Sequence, residues 1–227
     1  MSTPQEKWEQ WFQDTWAFRE DTVYKRIFGQ VGPHVHTIPP ELFLRLGQPK
    51  PDNRWLVHGV FEIPPSDKLP YWSYLTTALS NPWGIDPAVV KQDEPSGLGI
   101  ELVMHTPVQS NWAIQVLHWL MAVNILAGSG ILQGEVVSAG GRVPLHTSID
   151  PQQPESIIRN LLIVESNHLE PRFTLPSGTV DLLLCLGVSD SEMQMAESLD
   201  YDETIVRLER AGVYPVTDPK RSAISAN

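Results

Sequence analysis

Few residues in the chain have the types and spacing that catalysis or metal binding requires. His34 and His36 come closest, because an extended segment would place both imidazoles on one side. No third histidine lies near them, and a zinc site needs about four ligands. Pro33 and the Pro39-Pro40 pair predict a loop around them. We therefore expect a solvated histidine pair and no metal site.

Two patterns that could supply a nucleophile occur in the wrong surroundings. Cys185, the single cysteine, lies inside an apolar run with no cationic neighbour to stabilise a thiolate. Ser129, between Gly128 and Gly130, follows a predicted helix and precedes a predicted strand. A nucleophile elbow needs the opposite order, from strand to helix. The sequence therefore predicts no covalent catalysis.

Carboxylate pairs and glycine-rich segments also fail to form a site for acid–base chemistry or for a cofactor. Asp93-Glu94 and Asp202-Glu203 are adjacent pairs, and neighbouring side chains point apart on a strand or a helix. Gly97 and Gly99 lead into a predicted strand, so they cannot hold a phosphate at the start of a helix. We expect no catalytic residues and no cofactor.

One enzymatic alternative remains, a site assembled from residues that are distant in the sequence. His105, His118 or His146 could combine there with an aspartate or a glutamate. His118, however, lies on a predicted helix that is apolar on nearly every side, where a histidine is usually a hydrogen-bonded core residue. We therefore favour a protein that is not an enzyme.

The composition bounds the class of protein. The 227 residues are 41% hydrophobic and 19% charged, as in an ordinary globular domain. The N-terminus is polar, and no apolar run approaches the roughly 20 residues that cross a membrane. A single cysteine excludes an internal disulfide. These features predict a cytoplasmic protein that does not bind membranes.

The net charge of −11 bears on the partners of the protein. No basic cluster is longer than Lys25-Arg26 or Lys220-Arg221. Nucleic-acid binding depends on concentrated positive charge, so no nucleic-acid partner is expected. An acidic surface would attract a basic protein, although the same charge also serves solubility.

Capping signals and hydrophobic periodicity predict the secondary structure. A capping box at Thr3 opens a first helix that carries an aromatic stripe, and the central helix begins at Ser110 or Asn111. The predicted helices cover about residues 4–28, 111–127, 190–199 and 201–210. The predicted strands cover residues 55–63, buried on one side only, and residues 71–79, 98–106, 131–137, 160–165 and 179–188.

This order of elements predicts an α+β fold, with a mixed, largely antiparallel sheet packed against a central amphipathic helix and flanking helices. No shift in composition marks a boundary between domains. We expect one domain over residues 1–227. It would consist of an N-terminal helix and irregular lead-in (1–54), a core (55–219) and a frayed tail (220–227).

Several ordered segments resemble the Suppressor of fused family. The most specific reads PSGLGIEL and is followed by a helix that begins near Trp112. One departure is Ala78, which stands where the family has a glycine and which a strand would tolerate. The matching segments are Tyr71–Ser80, Pro95–Leu102, Asn160–Glu165, Leu175–Glu192 and Val216–Arg221.

The resemblance implies a Suppressor of fused-like fold and a regulatory binding protein without catalysis. Animal members are cytoplasmic and clamp an extended peptide of Gli transcription factors between two domains. Here the resemblance covers the N-terminal domain alone, so we expect a single-domain, bacterial-type member that binds an unknown protein or an extended peptide. Bacterial relatives of this size are often associated with toxin systems. An immunity protein that neutralises a basic toxin domain is therefore the alternative.

The resemblance also implies the partner-binding residues, which are Trp83, Asp93 and Glu94. Asp93 matches an acidic residue at the family's peptide-binding face, and Trp83 takes the place of an aromatic residue there. An exposed tryptophan is a typical interface anchor. Two structural alternatives stay open: Trp83 could fold back onto the sheet edge, and Asp93 could cap the turn before Pro95.

Overall fold

One eight-stranded sheet organises the part of the chain that the computed structural model describes, residues 3–199 and 201–224. The strands are β1 (Val35–Thr37), β2 (Gly59–Ile63), β3 (Trp72–Thr77), β4 (Pro95–Thr106), β5 (Arg142–Pro144), β6 (Ile158–Glu165), β7 (Arg172–Leu175) and β8 (Gly178–Ser189). Their order is β1-β2-β3-β4-β8-β6-β5, with β7 beside β8. Among the strand pairs of the described residues, only the central pair, β4 and β8, is parallel. The predicted mixed, largely antiparallel sheet is confirmed.

Helices cover both faces of this sheet. They are α1 (Pro4–Ala17), a π-helix (Phe18–Tyr24), α2 (Lys25–Phe28), α3 (Pro40–Arg45), α4 (Asn111–Gly128), α5 (Asp190–Ser198) and α6 (Tyr201–Arg210), with 3₁₀ turns at Asn53–Val57 and Pro87–Val89. On one face α4 packs against Ile100, Leu102 and Met104 of β4, as predicted. On the other face Tyr24 and Leu208 pack against the alternate residues of β4 and β8. The predicted α+β class, with a central helix, is confirmed.

The N-terminal 54 residues are more regular than predicted. The capping box at Thr3 and Glu6 begins α1 as expected. The stretch predicted to be irregular contains β1 and α3, which together are too short to leave a periodic signal. The strand predicted from Trp55 instead begins at Gly59, after a 3₁₀ turn, and β2 is buried on both of its sides because helices cover both faces of the sheet.

The segment after α4 does not form the strand predicted at residues 131–137. Its backbone folds against the end of the helix: the N–H groups of Ile131 and Leu132 both donate to the Leu126 carbonyl. The Asn124 side chain accepts a hydrogen bond from Val137 N at 2.8 Å. The apolar residues of this segment therefore satisfy their backbone groups locally. Strands β5 and β7, with three and four residues, were not predicted from the sequence.

Residues 221–224, in the tail for which the sequence predicted fraying, form hydrogen bonds to the domain, and residues 225–227 lie outside the described part. Arg221 donates to both oxygens of Glu192, at 2.6 Å each, and to the Gly187 carbonyl. Ile224 N donates to Glu192 Oε1 at 3.0 Å. Burial alone would raise the pKa of Glu192, but these hydrogen bonds and that from Ser189 lower it overall.

Replacement of Arg221 by alanine is expected to lower the free energy of unfolding by about 3 kcal/mol, because the Glu192 carboxylate would stay buried without its charge partner. Urea unfolding monitored by circular dichroism measures the change. Replacement of the neighbouring exposed Lys220 by alanine is the control and should change stability by less than about 0.5 kcal/mol. Equal effects of the two replacements would contradict a buried ion pair.

Ala78 does not lie in a regular strand conformation. Strand β3 ends at Thr77, and Ala78, fully buried, has φ of 85°, in the left-handed region that favours glycine. The sequence-based expectation that a strand accommodates alanine here is wrong, since the chain turns at this residue toward Asn81. A non-glycine residue in this conformation costs about 1–2 kcal/mol.

We expect Ala78→Gly to leave the free energy of unfolding unchanged within about 0.5 kcal/mol or to raise it, because relief of the strained φ offsets the lost buried methyl. The matched control is Ala122→Gly, at a fully buried alanine within α4. There both helix propensity and burial are lost, which costs about 2 kcal/mol. Urea unfolding of both variants tests the difference. An equal loss at the two positions would show that Ala78 is not strained.

Candidate functional site

A buried arginine fixes the turn that follows β3. The π-helix carries Arg19 into the interior, where its side chain is fully buried. Its guanidinium donates to Asn81 Oδ1 at 2.6 Å, to Thr77 Oγ1 at 3.0 Å and to Ser80 Oγ at 3.2 Å. Glu20 lies 3.4 Å away as a charge partner. π-Helical turns inside helices are frequent at functional sites.

Glu101 of β4 holds the same turn from the other side. Its carboxylate accepts hydrogen bonds from Thr76 Oγ1 and Ser80 Oγ, each at 2.6 Å, and from Ser80 N at 3.0 Å. Burial raises the pKa of Glu101, although the charge of Arg19 and these hydrogen bonds act in the opposite direction. Residues 76–81 are therefore held by a dense polar network in the core.

Trp83 follows this network and packs on the aromatic stripe of α1. Its ring centroid lies 4.4 Å from that of Phe12 and 6.1 Å from that of Trp8. Trp8 Nε1 donates to the Ile85 carbonyl at 2.9 Å. The aromatic stripe of α1 thus packs against the domain. Trp83 is half-buried against α1.

A cleft of about 270 Å³ opens beside Trp83. Leu79, Leu98 and Ile125 contribute apolar wall, and the full set of lining residues is Arg54, Trp55, His58, Leu79, Asn81, Trp83, Gly97, Leu98, Ile125, Gly128 and Ser129. Two buried donors of this lining, Asn81 Nδ2 and Trp83 Nε1, have no hydrogen-bond partner within the described residues. Such an unpaired donor costs about 1–3 kcal/mol.

The acidic pair predicted to act with Trp83 is not part of the lining of the cleft. Asp93 and Glu94 are both exposed, and Glu94 pairs with Lys91 at 2.6 Å. The Glu94 carbonyl accepts from Thr179 N at 2.9 Å, which anchors the loop beside β8. Neither carboxylate lines the cleft. The three predicted residues therefore share one loop but not one pocket, and their role in binding stays a prediction.

Sequence reasoning missed Asn81 as a member of the site. The Asn81-Pro82-Trp83-Gly84 run favours a turn, and residues 83 and 84 lie in one. Asn81 is 2% exposed, its oxygen accepts from Arg19, and its nitrogen is unpaired among the described residues. All three features depend on contacts between distant segments. A single sequence carries no signal for such contacts.

The histidines that could have formed a catalytic site are placed as follows. His105 is fully buried, bonded through Nδ1 to Ser73 Oγ at 2.8 Å and through Nε2 to His168 Nε2 at 2.9 Å. Ser73 is fully buried as well. His118 Nε2 donates to the His36 carbonyl at 2.6 Å, and His146 is exposed.

The residues 3–199 and 201–224 contain no group of three or more His, Cys, Asp or Glu side chains that could hold a metal ion. His34 and His36 are exposed, at and just before β1. Burial raises the pKa of the Cys185 thiol well above its usual range. None of these groups offers a prepared nucleophile or ligand set.

Comparison with known proteins identifies the family that has this sheet and these flanking helices. A family model described as Suppressor of fused protein matches residues 55–222. The chain belongs to the Suppressor of fused family. The match covers both the Trp83 loop, which we define as residues 83–94, and all residues that line the cleft except Arg54.

Solved structures of Suppressor of fused proteins share the fold. A chain of the Sufu-Fu complex crystal structure is 21% identical, with a TM-score of 0.57, over 82% of this chain and 88% of that one. Drosophila Suppressor of Fused is 19% identical with the same TM-score, over 81% of this chain and 50% of that one. A homologue from Neisseria gonorrhoeae is 16% identical at a TM-score of 0.57, over 96% and 99%. No curated protein matched the chain.

The Suppressor of fused fold here includes one helix of 18 residues, α4. Within the described ranges, length and apolar character do not combine in any helix to the degree that crossing a bilayer demands. The apolar residues of α4 instead contact β4 and its neighbours in the sheet.

His58 makes the stability of this site depend on pH. Its Nδ1 donates to the Trp55 carbonyl at 3.0 Å, and burial lowers the pKa of His58 from 6.5 to about 4. The unfolded chain therefore takes up the proton before the folded one as the pH falls. The contribution of neutral His58, about 3 kcal/mol, is complete above pH 6.5 and is lost between pH 6.5 and about 4.

We expect His58→Gln to reduce the dependence of unfolding free energy on pH by about 1 kcal/mol per pH unit within this window. Urea unfolding of the variant and the wild-type protein at several values between pH 4 and 6.5 measures the two slopes. The comparison uses slopes because the substitution itself changes stability at every pH. A variant with the slope of the wild-type protein would contradict a neutral, buried His58.

Proposed function

We propose that this protein is a non-catalytic regulatory module that binds a protein or an extended peptide in the cytoplasm through the Trp83 loop. The observation that carries the proposal is the cleft beside Trp83, with its two unpaired donors, on a member of the Suppressor of fused family. The family is known for regulation by binding.

The Trp83 loop has the features of a contact surface. It runs between two concave regions, the cleft and an open groove of about 600 Å³ that is lined by residues of α1 and the segment Gly84–Ala88. Val89 at its centre is 68% exposed, and Asp93 and Glu94 are exposed beyond it. An apolar centre with a charged rim is the usual anatomy of a protein interface.

Polar anchoring beneath the loop supports a preformed surface. Arg19 and Glu101 hold residues 76–81, and the ring of Trp83 packs against that of Phe12. A surface that is already ordered loses little conformational entropy when a partner binds. The similar chain in the Sufu-Fu complex is also part of a protein complex, which favours the same kind of role here.

Two other functions find no favouring observation. Nothing in the comparisons supports an immunity protein that neutralises a toxin, so we do not propose it. An enzyme would need accessible catalytic groups, whereas the closest Ser–His contact, between Ser73 and His105, is fully buried. The acidic pair still favours a basic segment in the partner.

Val89→Arg is expected to reduce binding of the native partner at least about tenfold, because it places a long charged side chain at the centre of the loop. Quantitative affinity purification from native cells, followed by titration with the purified partner, measures the loss. Val108→Arg is the matched control: Val108 is 61% exposed and lies after β4, at a distance along the chain from the loop. The control should retain the partner.

Two results would contradict the proposal. One is the recovery of no stoichiometric partner with the wild-type protein under several growth conditions. The other is an equal loss of the partner in Val89→Arg and Val108→Arg, which would place the contact elsewhere. Circular dichroism melting of both variants verifies that neither result comes from unfolding.

A further inference from the structure

Two residues that line the cleft beside Trp83 carry buried hydrogen-bond donors without a partner among the described residues. We infer that it binds a carboxylate carried on a branched apolar group, as in the C-terminal residue of a peptide. This inference rests on the proposed function at the same site and specifies the chemistry of the bound group. Its basis is the pair of unpaired donors, the apolar wall and the charge of the lining.

The first donor has a fixed direction. Asn81 is 2% exposed, and its Oδ1 accepts from Arg19 Nη1 at 2.6 Å. This bond sets the orientation of the amide, because the opposite orientation would place two donors against each other. Asn81 Nδ2 is therefore turned away from Arg19 and has no partner among the described residues. An acceptor supplied from the cleft would relieve the cost of that buried donor.

The second donor is held by contacts between aromatic rings. The Trp83 ring lies against Phe12 at 4.4 Å and against Trp8 at 6.1 Å, so its rotation is restricted. Its Nε1, also buried, has no partner within the described chain. The Trp8 indole in the same cluster does have one, the Ile85 carbonyl. Trp83 thus stands out from its neighbour as a donor without an acceptor.

The remaining lining decides between classes of ligand. Its charged side chain is Arg54, which also pairs with Asp52, and its other polar side chains are His58 and Ser129. The lining includes no carboxylate, although the whole chain carries a net charge of −11. A cation would find neither an acceptor side chain with a charge nor a counterion there. An anion finds two unpaired N–H donors and the Arg54 guanidinium, whose Nε and one Nη also donate to Asp52.

The apolar wall specifies what carries the anion. Leu79, Leu98 and Ile125 line the cleft together with the backbone of Gly97 and Gly128. A volume of about 270 Å³ is sufficient for one branched side chain and its carboxylate but small for a drug-sized ligand. Inorganic phosphate would leave this wall in contact with water, which disfavours it as the occupant.

N-acetyl-L-leucine is the probe, and the full-length protein labelled with ¹⁵N is the sample. The readout is the Trp83 indole N–H resonance, assigned by its absence in Trp83→Phe. We expect it to shift saturably with a dissociation constant of about 1 mM, as suits a ligand of this size. N-acetyl-L-leucine methyl ester, which lacks the charge, should bind at least about tenfold more weakly.

Asn81→Asp tests the donor without removing the bond to Arg19, since the new carboxylate still accepts from the guanidinium. We expect it to weaken the probe at least about tenfold, because an oxygen replaces the N–H donor. Asn111→Asp adds the same charge at an exposed position on α4 and should leave binding unchanged. Thermal melting of both variants verifies that they are folded.

Three outcomes would overturn the inference. They are an indole resonance that does not move with the probe, an ester that binds as tightly as the acid, and an Asn81→Asp variant that binds normally. If the Trp83 indole N–H pairs with bound water alone, its resonance will not move with the probe, which is the first of these outcomes. Val89 does not line the cleft, so Val89→Arg should still bind the probe. Probe binding without a protein partner would contradict the proposed function alone, and a partner retained by Asn81→Asp would contradict this inference alone.

Discussion

The burial of one guanidinium, that of Arg19, determines the conformation of the turn after β3 and the position of Trp83. A buried guanidinium needs hydrogen-bond acceptors, because an unpaired buried charge is far costlier than the bonds it makes are favourable. Both terminal nitrogens of Arg19 are paired, while its Nε has no partner among the described residues. Its acceptors come from the end of β3 and the turn after it, and they bring Thr77, Ser80 and Asn81 to the π-helix. The position of Trp83 follows from that of Asn81. A residue near the N-terminus thus sets the geometry of a loop more than 60 residues later.

The elements that the sequence predicted well are those with long, regular hydrophobic patterns. Strand β4, helix α4 and strand β8 each extend over at least 12 residues, and their apolar residues pack as their spacing indicates. Strands β1, β5 and β7 have three or four residues and exist only because a neighbouring strand offers an edge. The strand predicted at residues 131–137 is absent because local hydrogen bonds to the end of α4 take the place of hydrogen bonds to a neighbouring strand.

In the candidate site, too, some features could be predicted from the sequence and others could not. A tryptophan in a turn bounded by Pro82 and Gly84 could be recognised as a surface feature from the sequence. The buried amide of Asn81 could not be recognised from the sequence, because its orientation depends on Arg19. Arg19 lies in a π-helix, which no sequence pattern predicted. Nor could the separation of Asp93 from the cleft be foreseen, since a shared loop does not imply a shared pocket. The residue types within one turn could be interpreted from the sequence, whereas the distances between separate segments could not.

The single parallel contact in the sheet has a consequence for how the chain folds. Strands β4 and β8 form the centre of the sheet, yet Val103 and its partner Leu184 are about 80 residues apart in the sequence. Closing such a loop costs entropy before the pair gives any stabilisation, so a high contact order favours slow folding. During synthesis the first four strands would form a sheet whose edge, β4, lacks its central neighbour until residue 189 has emerged. An apolar edge left open for that time is the part of the nascent chain most exposed to aggregation.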